Sequence, residues 1–290
     1  TDTKIASIVG PSDIDSDENH IYSELGFYYT QQGQAELLER SVLTNNGKRM
    51  TGDSLFYDRN RGIGEAFRNV ELVDTINKNM LTGDYCFYNQ LTGYAFATDR
   101  AMATDFSQGD SLFIHADTLQ LYTYHVNTDS VYREARAYHK VRFYRTDLQG
   151  VCDSLVFSSK DSCLTLYQDP ILWNGNQQLL GEEIMVYVND STIDWAHIQN
   201  QALSVERLDS LNYNQVSGKD MKAYFEGGEM KQVDVDGSVR LVYFPMEKDS
   251  TVLGMNCSET SKLSMFLENR KLKKMAMSPK SNGTLYPMTQ

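Results

Sequence analysis

The residues that could do chemistry are scattered along this chain, and the most suggestive group imitates a calcium-binding loop. Asp13, Asp15 and Asp17 alternate with other residues, and Glu24 follows at the distance of a closing ligand. Glu18, however, stands where the sharp turn of such a loop needs glycine, and no helices flank the segment. The sequence therefore predicts no calcium site.

The histidines and the common catalytic motifs give no stronger signal. The five histidines occur singly, without the spacing of a helical zinc site. His115 lies nearest to acids, Asp110 and Asp117, but strand alternation places His115 and Asp117 on the outward side, opposite Leu112 and Ile114. There is no phosphate-binding loop, dinucleotide fingerprint or GxSxG nucleophile motif. We expect a protein without enzymatic activity, metal or cofactor.

A short unit recurs six times along the chain and sets the architecture. Each copy is a small residue, then an acidic or polar residue, then an alternating hydrophobic run. The copies begin at Gly52, Gly83, Ala116, Cys152, Gly181 and Gly218. Such a turn-plus-strand repeat is typical of stacked β structures, in which each unit buries its apolar face against the next.

The composition supports an all-β fold and narrows the range of partners. The chain has 290 residues with 18 Tyr, 12 Phe and only 5 Pro, and no window reads as a long amphipathic helix. The net charge of −12 argues against nucleic acid as a partner. No apolar stretch reaches the roughly 18 residues of a membrane-spanning helix.

When the six copies are aligned, two columns on one face of the strands are apolar, because side chains two residues apart share a face. Val70 and Leu72 on an intervening strand extend this face. The predicted apolar groove consists of Leu55, Tyr57, Val70, Leu72, Cys86, Tyr88, Leu119, Leu121, Leu155, Phe157, Ile184, Val186 and Met221. Periodicity alone leaves two alternatives open: the dry core of a closed solenoid, or an accessible trough for a ligand.

The pattern divides the chain into three parts. Residues 1–19 are polar and read as a flexible lead-in. The repeats are dense over residues 20–125, loosen, and resume over residues 126–290, where the C-terminal end is the least regular.

Three successive segments carry a family resemblance: TGDSLFYDRNRGIGEAFRNVELVD, LTGDYCFYNQLTGYAFATDRAMATDF and GDSLFIHADTLQLYT. This succession resembles the OstA-like family, which includes the lipopolysaccharide transport protein LptA and the N-terminal domain of LptD. The resemblance covers roughly Tyr22 to Tyr124 and continues more weakly to about Phe244.

The resemblance implies an elongated, open β-jellyroll, a V-shaped stack of antiparallel strands whose interior holds the acyl chains of lipopolysaccharide. It implies a non-catalytic transport component in the periplasm of a Gram-negative cell, which would need a signal peptide that this chain does not carry. Its partners would be lipopolysaccharide or a related lipid, and Lpt-type proteins or further copies joined through edge strands.

Two other functions are compatible with the repeats. One is a structural or adhesive β-solenoid with a closed core, which would bind no lipid. The other is a polysaccharide-active enzyme, which would require paired carboxylates on the same exposed face of neighbouring coils.

Overall fold

The computed structural model is all-β, with 79% of the chain in strands and no helix among the described residues. It describes residues 4–15, 19–39, 41–45, 47–107, 109–146, 148–189, 192–247, 251–269 and 271–288. The predicted all-β class is confirmed, and the many antiparallel strands are consistent with a β-jellyroll.

The chain forms two compact units. The first contains residues 1–146 and 158–160, and the second contains residues 147–157 and 161–290. The sequence-based division between residues 125 and 126 stays a prediction.

The first unit is an antiparallel meander in which most strands pair with their neighbours in sequence. Its strands are β1 (Ile5–Asp15), β2 (Asn19–Tyr29), β3 (Gln34–Glu39), β4 (Ser41–Asn45), β5 (Lys48–Gly52), β6 (Ser54–Asp58), β7 (Ile63–Asp74), β8 (Asn79–Asn89), β9 (Tyr94–Asp105), β10 (Leu112–Tyr124) and β11 (Tyr132–Arg145). The short strands β3 and β4 together face β2, and β5 and β6 together face β7.

The second unit repeats this plan. Its strands are β12 (Leu148–Ser158), β13 (Cys163–Tyr167), β14 (Ile171–Asn174), β15 (Gln177–Leu180), β16 (Glu183–Asn189), β17 (Thr192–Arg207), β18 (Tyr213–Glu226), β19 (Glu229–Tyr243), β20 (Gly254–Glu268) and β21 (Lys271–Pro287). Here β15 and β16 together face the long strand β17, and β17 to β21 pair in order.

Residues 5–15 correct the prediction of a flexible lead-in, because they form β1 and pair with β2. A register shift between Val9 and Ser12 accommodates the Gly10-Pro11 pair that suggested a break. The polar composition misled the sequence reading because an edge strand is held by its backbone ladder, whatever the polarity of its outward side chains.

Every second long strand turns a corner at a pair of residues in the left-handed backbone region. In β7 these are Arg68 and Asn69, with φ of 58° and 51°, and in β9 they are Asp99 and Arg100, with φ of 57° and 63°. Equivalent pairs occur at His139-Lys140, Gln168-Asp169 and Asn200-Gln201. The strand ladders shift register at these pairs in β7 and β17, as expected for β-bulges.

The six sequence repeats lie opposite these corners, and this corrects the view that each begins with a turn. Gly83, Ala116, Cys152 and Gly218 lie inside strands, while the copy at Gly52 falls where β5 ends and β6 begins. The small residue is required because the neighbouring backbone comes close. A Cβ added at Gly83 would lie 2.9 Å from the carbonyl oxygen of Thr98.

The acidic residue of the repeat accepts a side-chain hydrogen bond from a corner residue on the neighbouring strand. Asp84 accepts a hydrogen bond of 2.8 Å from Nε of Arg100, and Asp117 accepts one of 3.0 Å from Nζ of Lys140. The same arrangement recurs as Asn69 with Asp53 (3.2 Å) and Gln201 with Glu182 (2.7 Å). We call these four contacts the corner pairs.

The corners of successive strands lie side by side and form what we call the corner line, which divides each unit into two sheets. In the first unit, sheet A contains β3 and β6 and sheet B contains β4 and β5, while the longer strands cross from one to the other. In the second unit, sheet A contains β13 and β16 and sheet B contains β14 and β15.

The outer face of sheet A is covered by aromatic pairs. In the first unit, Phe87 and Phe96 on neighbouring strands stack with their ring centroids 5.6 Å apart. In the second unit, Tyr187 and Trp195 are register partners and stack at 4.1 Å with an interplanar angle of 5°. Cross-strand aromatic pairs stabilise a sheet beyond their buried area, so these outward-facing rings contribute to the stability of sheet A.

The close approach of the backbones at the corner predicts that adding one methyl group at Gly83 destabilises the fold. Gly83→Ala should lower the free energy of unfolding by about 1–3 kcal/mol, because the new Cβ would press on the backbone of Thr98. Gly109→Ala is the matched control, since a Cβ there meets nothing within 4 Å. Urea denaturation of both variants measures the difference, and equal stability would show that the corner tolerates a side chain.

The corner pairs also predict a dependence of stability on pH. The hydrogen bond from Arg100 holds the pKa of Asp84 below its usual value, so the pair stabilises the fold above the unfolded pKa of about 3.9. This stabilisation is lost as the pH falls through the lower, folded pKa. The wild type should therefore lose more unfolding free energy between pH 6 and pH 3 than Asp84→Asn. Arg100→Gln removes the cause of the shift and should behave like Asp84→Asn, and parallel pH profiles for all three proteins would exclude this role.

Candidate functional site

The candidate site is the inner surface between sheets A and B, and its deepest part is a sealed apolar row beside the corner line. In the first unit this row runs across sheet A through residues that are register partners on successive strands. They are Leu37, Leu55, Ala66, Cys86, Ala97, Leu119 and Ala137, all buried. From Leu55 to Ala137, leucine or cysteine alternates with alanine, so a larger side chain lies beside a smaller one on each neighbouring strand.

On β10, exposure of the inner face rises with distance from the corner line. Leu55 is 4% exposed and Leu119 is 7% exposed, whereas Leu121, two residues further from the corner, is 37% exposed. Tyr57 and Tyr88 occupy the same outer position on β6 and β8 and are half-buried. The inner face is therefore closed along the corner line and accessible at Leu121 towards the opposite margin, while the alanines of that outer row, Ala35 and Ala95, are buried.

Sheet B contributes a second apolar row to the inner surface of the first unit. Its register-paired members are Leu43, Met50, Leu72, Leu81, Ala103, Ile114 and Phe143. Met50 and Phe143 are buried and the other five are half-buried.

Two contacts show that the sheets of the first unit face each other. A Cβ placed on Gly64 of sheet A would lie 4.0 Å from Cε of Met50 in sheet B. Nearer the margin, Nζ of Lys48 in sheet B lies 5.5 Å from the ring centroid of Tyr88 in sheet A. The inner surface is thus narrow beside the corner and bordered by a cation–π contact further out.

The second unit contains a cavity of about 100 Å³ between its sheets. Met221 and Ala223 of sheet A line one side, and Val216 and Leu241 of sheet B line the other. Towards the margin the lining comes from Met230, Leu267 and Leu272 on one side and from Gln177, Glu206, Asn214 and Tyr243 on the other. An apolar cavity of about 150 Å³ accommodates a benzene-sized ligand, so this cavity has room for part of an alkyl chain.

The structure places all the sequence-predicted groove residues along these strands. In the first unit, Leu55, Tyr57, Cys86, Tyr88, Leu119 and Leu121 lie in sheet A, and Val70 and Leu72 lie in sheet B. In the second unit, Leu155, Phe157, Ile184, Val186 and Met221 lie on β12, β16 and β18. Whether they bind lipid stays a prediction.

Apart from Val70 and Leu72, sequence reasoning missed the contribution of sheet B. A signal for it was present, because an apolar residue stands two positions before the small residue of most repeats. Met50 precedes Gly52 in this way, and Leu81 precedes Gly83. These side chains share the inner face because the strand runs through the corner.

The buried thiol in the sealed row behaves as a small apolar group. Burial raises the pKa of Cys86 to about 12, so the thiol is protonated at neutral pH and has little nucleophilic character. It fills the space between Ala66 and Ala97, its register partners on the two neighbouring strands.

The acidic residues near the N-terminus have a partner in His20. Its ring nitrogens lie 2.7 Å from Asp15 and 3.3 Å from Asp13, and the hydrogen bond to Asp15 raises the pKa of His20. Asp17 lies outside the described residues. No group of three or more His, Cys, Asp or Glu that could hold a metal ion occurs within the described part of the chain.

Residues 14–104 match the family model described as OstA-like protein. This match confirms the resemblance over that segment, which coincides with most of the first unit. No curated protein matches the chain. Across the residues that the structure describes, no helix has the length and apolar character needed to cross a membrane.

Proposed function

We propose that this protein is a non-catalytic component of lipopolysaccharide transport that carries acyl chains between its two sheets. The observation that carries the proposal is the gradient of exposure on the inner face, from Leu119 beside the corner to Leu121 near the margin. A closed solenoid core would bury both. The OstA-like segment supports the same function at the level of the family, which is one of transport and binding.

The energetics of acyl burial suit transfer between proteins. Removing a chain of about 14 carbons from water contributes about 11 kcal/mol at roughly 0.8 kcal/mol per methylene. A lipid held by several such chains would not escape into water on a useful timescale. An apolar surface that is open along one margin lets the chains pass to a similar surface without crossing water, and we place this step in the periplasm.

A substitution near the margin tests lipid binding without unfolding the protein. Leu121→Asp should weaken binding of a fluorescent fatty acid about tenfold, because a buried leucine contributes about 1.5–3 kcal/mol and the carboxylate opposes the tail. Leu91→Asp is the control, since Leu91 is an exposed leucine in the β8–β9 turn.

Thermal unfolding of both variants should stay close to that of the wild type. The more deeply placed Leu55 and Leu119 are unsuitable for this test, because replacing either would open the sealed row. Equal fatty-acid affinity in Leu121→Asp, Leu91→Asp and the wild type would contradict an acyl-binding inner face.

The second part of the proposal concerns edge strands. β1 pairs with β2 on one side, and β21 pairs with β20. The N–H of Thr30 donates to the carbonyl of Lys4 at 3.0 Å, which makes Lys4 a hydrogen-bonded position of the β1–β2 ladder. By alternation, the backbone N–H of Ser7 points away from β2. We propose that this outward-facing edge accepts a strand from another copy or from another OstA-like protein.

Ser7→Pro should abolish self-association while leaving the stability of the monomer unchanged, because proline removes an outward-facing donor. Ala6→Pro is the contrasting variant, since the N–H of Ala6 faces β2 and its loss should destabilise β1. Sedimentation at several concentrations measures association. A wild type that stays monomeric at high concentration, or a Ser7→Pro variant that still associates, would exclude pairing of copies through β1.

A further inference from the structure

A second cavity of the second unit lies on the outside of sheet B and has a different chemistry from the inner surface. It is a cleft of about 600 Å³, within the usual size range of small-molecule sites. Trp173, Gln178 and Val205 are register partners on β14, β15 and β17 and form its floor. Arg207 and Tyr213, which pair across β17 and β18, form one wall. We call this site the outer cleft.

The aromatic side chains of the outer cleft are available to a ligand. Within the part of the chain that the structure describes, neither Trp173 nor Tyr213 stacks on another aromatic ring. This distinguishes them from Trp195, whose face is covered by Tyr187. Trp173 is half-buried and Tyr213 is exposed, so a flat apolar surface faces the cleft. Free ring faces of this kind suit the apolar face of a sugar ring.

The polar side chains of the outer cleft suit an anion with hydroxyl groups. Nε of Arg207 donates to the backbone carbonyl of Asp209 at 3.3 Å, and among the described residues no carboxylate forms an ion pair with this guanidinium. The carboxylate of Asp209 accepts hydrogen bonds of 2.7 Å and 2.8 Å from the N–H groups of Leu211 and Asn212. Arg207 therefore supplies the positive charge of the cleft, whose lining also contains Asp209, and Gln178 adds an amide to the same lining.

The outer cleft and the inner cavity meet at one residue. Gln177 lines both of them. The strands carry the two linings on opposite faces: Val205 and Arg207 face the cleft, while Ser204 and Glu206 face the cavity. A ligand with an apolar tail between the sheets can therefore place its polar end around the margin of sheet B.

We propose that the outer cleft binds the anionic sugar headgroup of an amphiphile whose tail occupies the inner cavity. The assignment rests on the proposed function, because it takes the tail site from there. It adds a second site, with Arg207 contacting a phosphate or carboxylate, Trp173 and Tyr213 contacting the sugar ring, and Gln178 contacting its hydroxyl groups.

Tryptophan fluorescence tests the headgroup site directly. The chain has two tryptophans, so Trp195→Phe leaves Trp173 as the reporter. Glucose 6-phosphate should change its fluorescence, and Arg207→Gln should raise the dissociation constant at least about tenfold, as expected for a lost charge-assisted hydrogen bond. Uncharged glucose should bind more weakly than the phosphate. Arg240→Gln is the matched control, since Arg240 is an exposed arginine of the same unit that pairs with Glu259.

A second set of binding measurements distinguishes recognition of a lipid headgroup from recognition of a free sugar phosphate. Arg207→Gln should weaken binding of lipopolysaccharide and of glucose 6-phosphate but leave fatty-acid binding unchanged. Leu267→Asp at the margin of the cavity should weaken binding of lipopolysaccharide and fatty acid but leave glucose 6-phosphate unchanged.

Three results would overturn the assignment: no fluorescence response to glucose 6-phosphate, equal losses in Arg207→Gln and Arg240→Gln, or lipopolysaccharide binding that is indifferent to Arg207. A wild type that binds glucose 6-phosphate but no fatty acid would instead refute the proposed transport function, so the two failures are distinguishable.

Discussion

The close approach of backbones at the corner line is the constraint on which the rest of the structure depends. A strand that turns through two left-handed residues, such as Arg68 and Asn69, brings its backbone close to the strand beside it. Only a small residue fits opposite, as the 2.9 Å distance at Gly83 shows. Sliding one strand by a residue would press a side chain into this space and would also turn its apolar face outward. The corner therefore fixes the register of the long strands that cross it.

A fixed register keeps the inner face apolar along each unit. The corner pairs, such as Asp117 with Lys140, lie on the exposed side of the same line, where an ion pair contributes little to the free energy of folding. Their value lies in selecting the alignment, since a shifted strand would leave the acid without its partner. The repeated Gly-Asp unit thus sets the register of the strands, and this register keeps the inner face apolar.

The sequence was sufficient for the parts of this arrangement that depend on alternation. The strands and the inner positions Leu55 and Ile184 follow from a period of two residues. The position of the corner could not be predicted from the sequence, because a Gly-Asp pair is as typical of a turn as of a bulge. The outer cleft was also beyond sequence reasoning, since Trp173 and Arg207 are far apart in the chain and meet only because β15 and β17 pair.

An open inner face buries less apolar surface than a closed core, and aromatic pairs on the outer face compensate for part of this lost stability. Residues such as Leu121 lack the facing layer that completes the core of a closed sandwich. Stacked pairs such as Phe87 with Phe96 and Tyr187 with Trp195 supply cross-strand contacts on the other side of the same sheet. Their stacking stabilises sheet A from its outer side. The aromatic outside therefore allows the inside to stay available to a ligand.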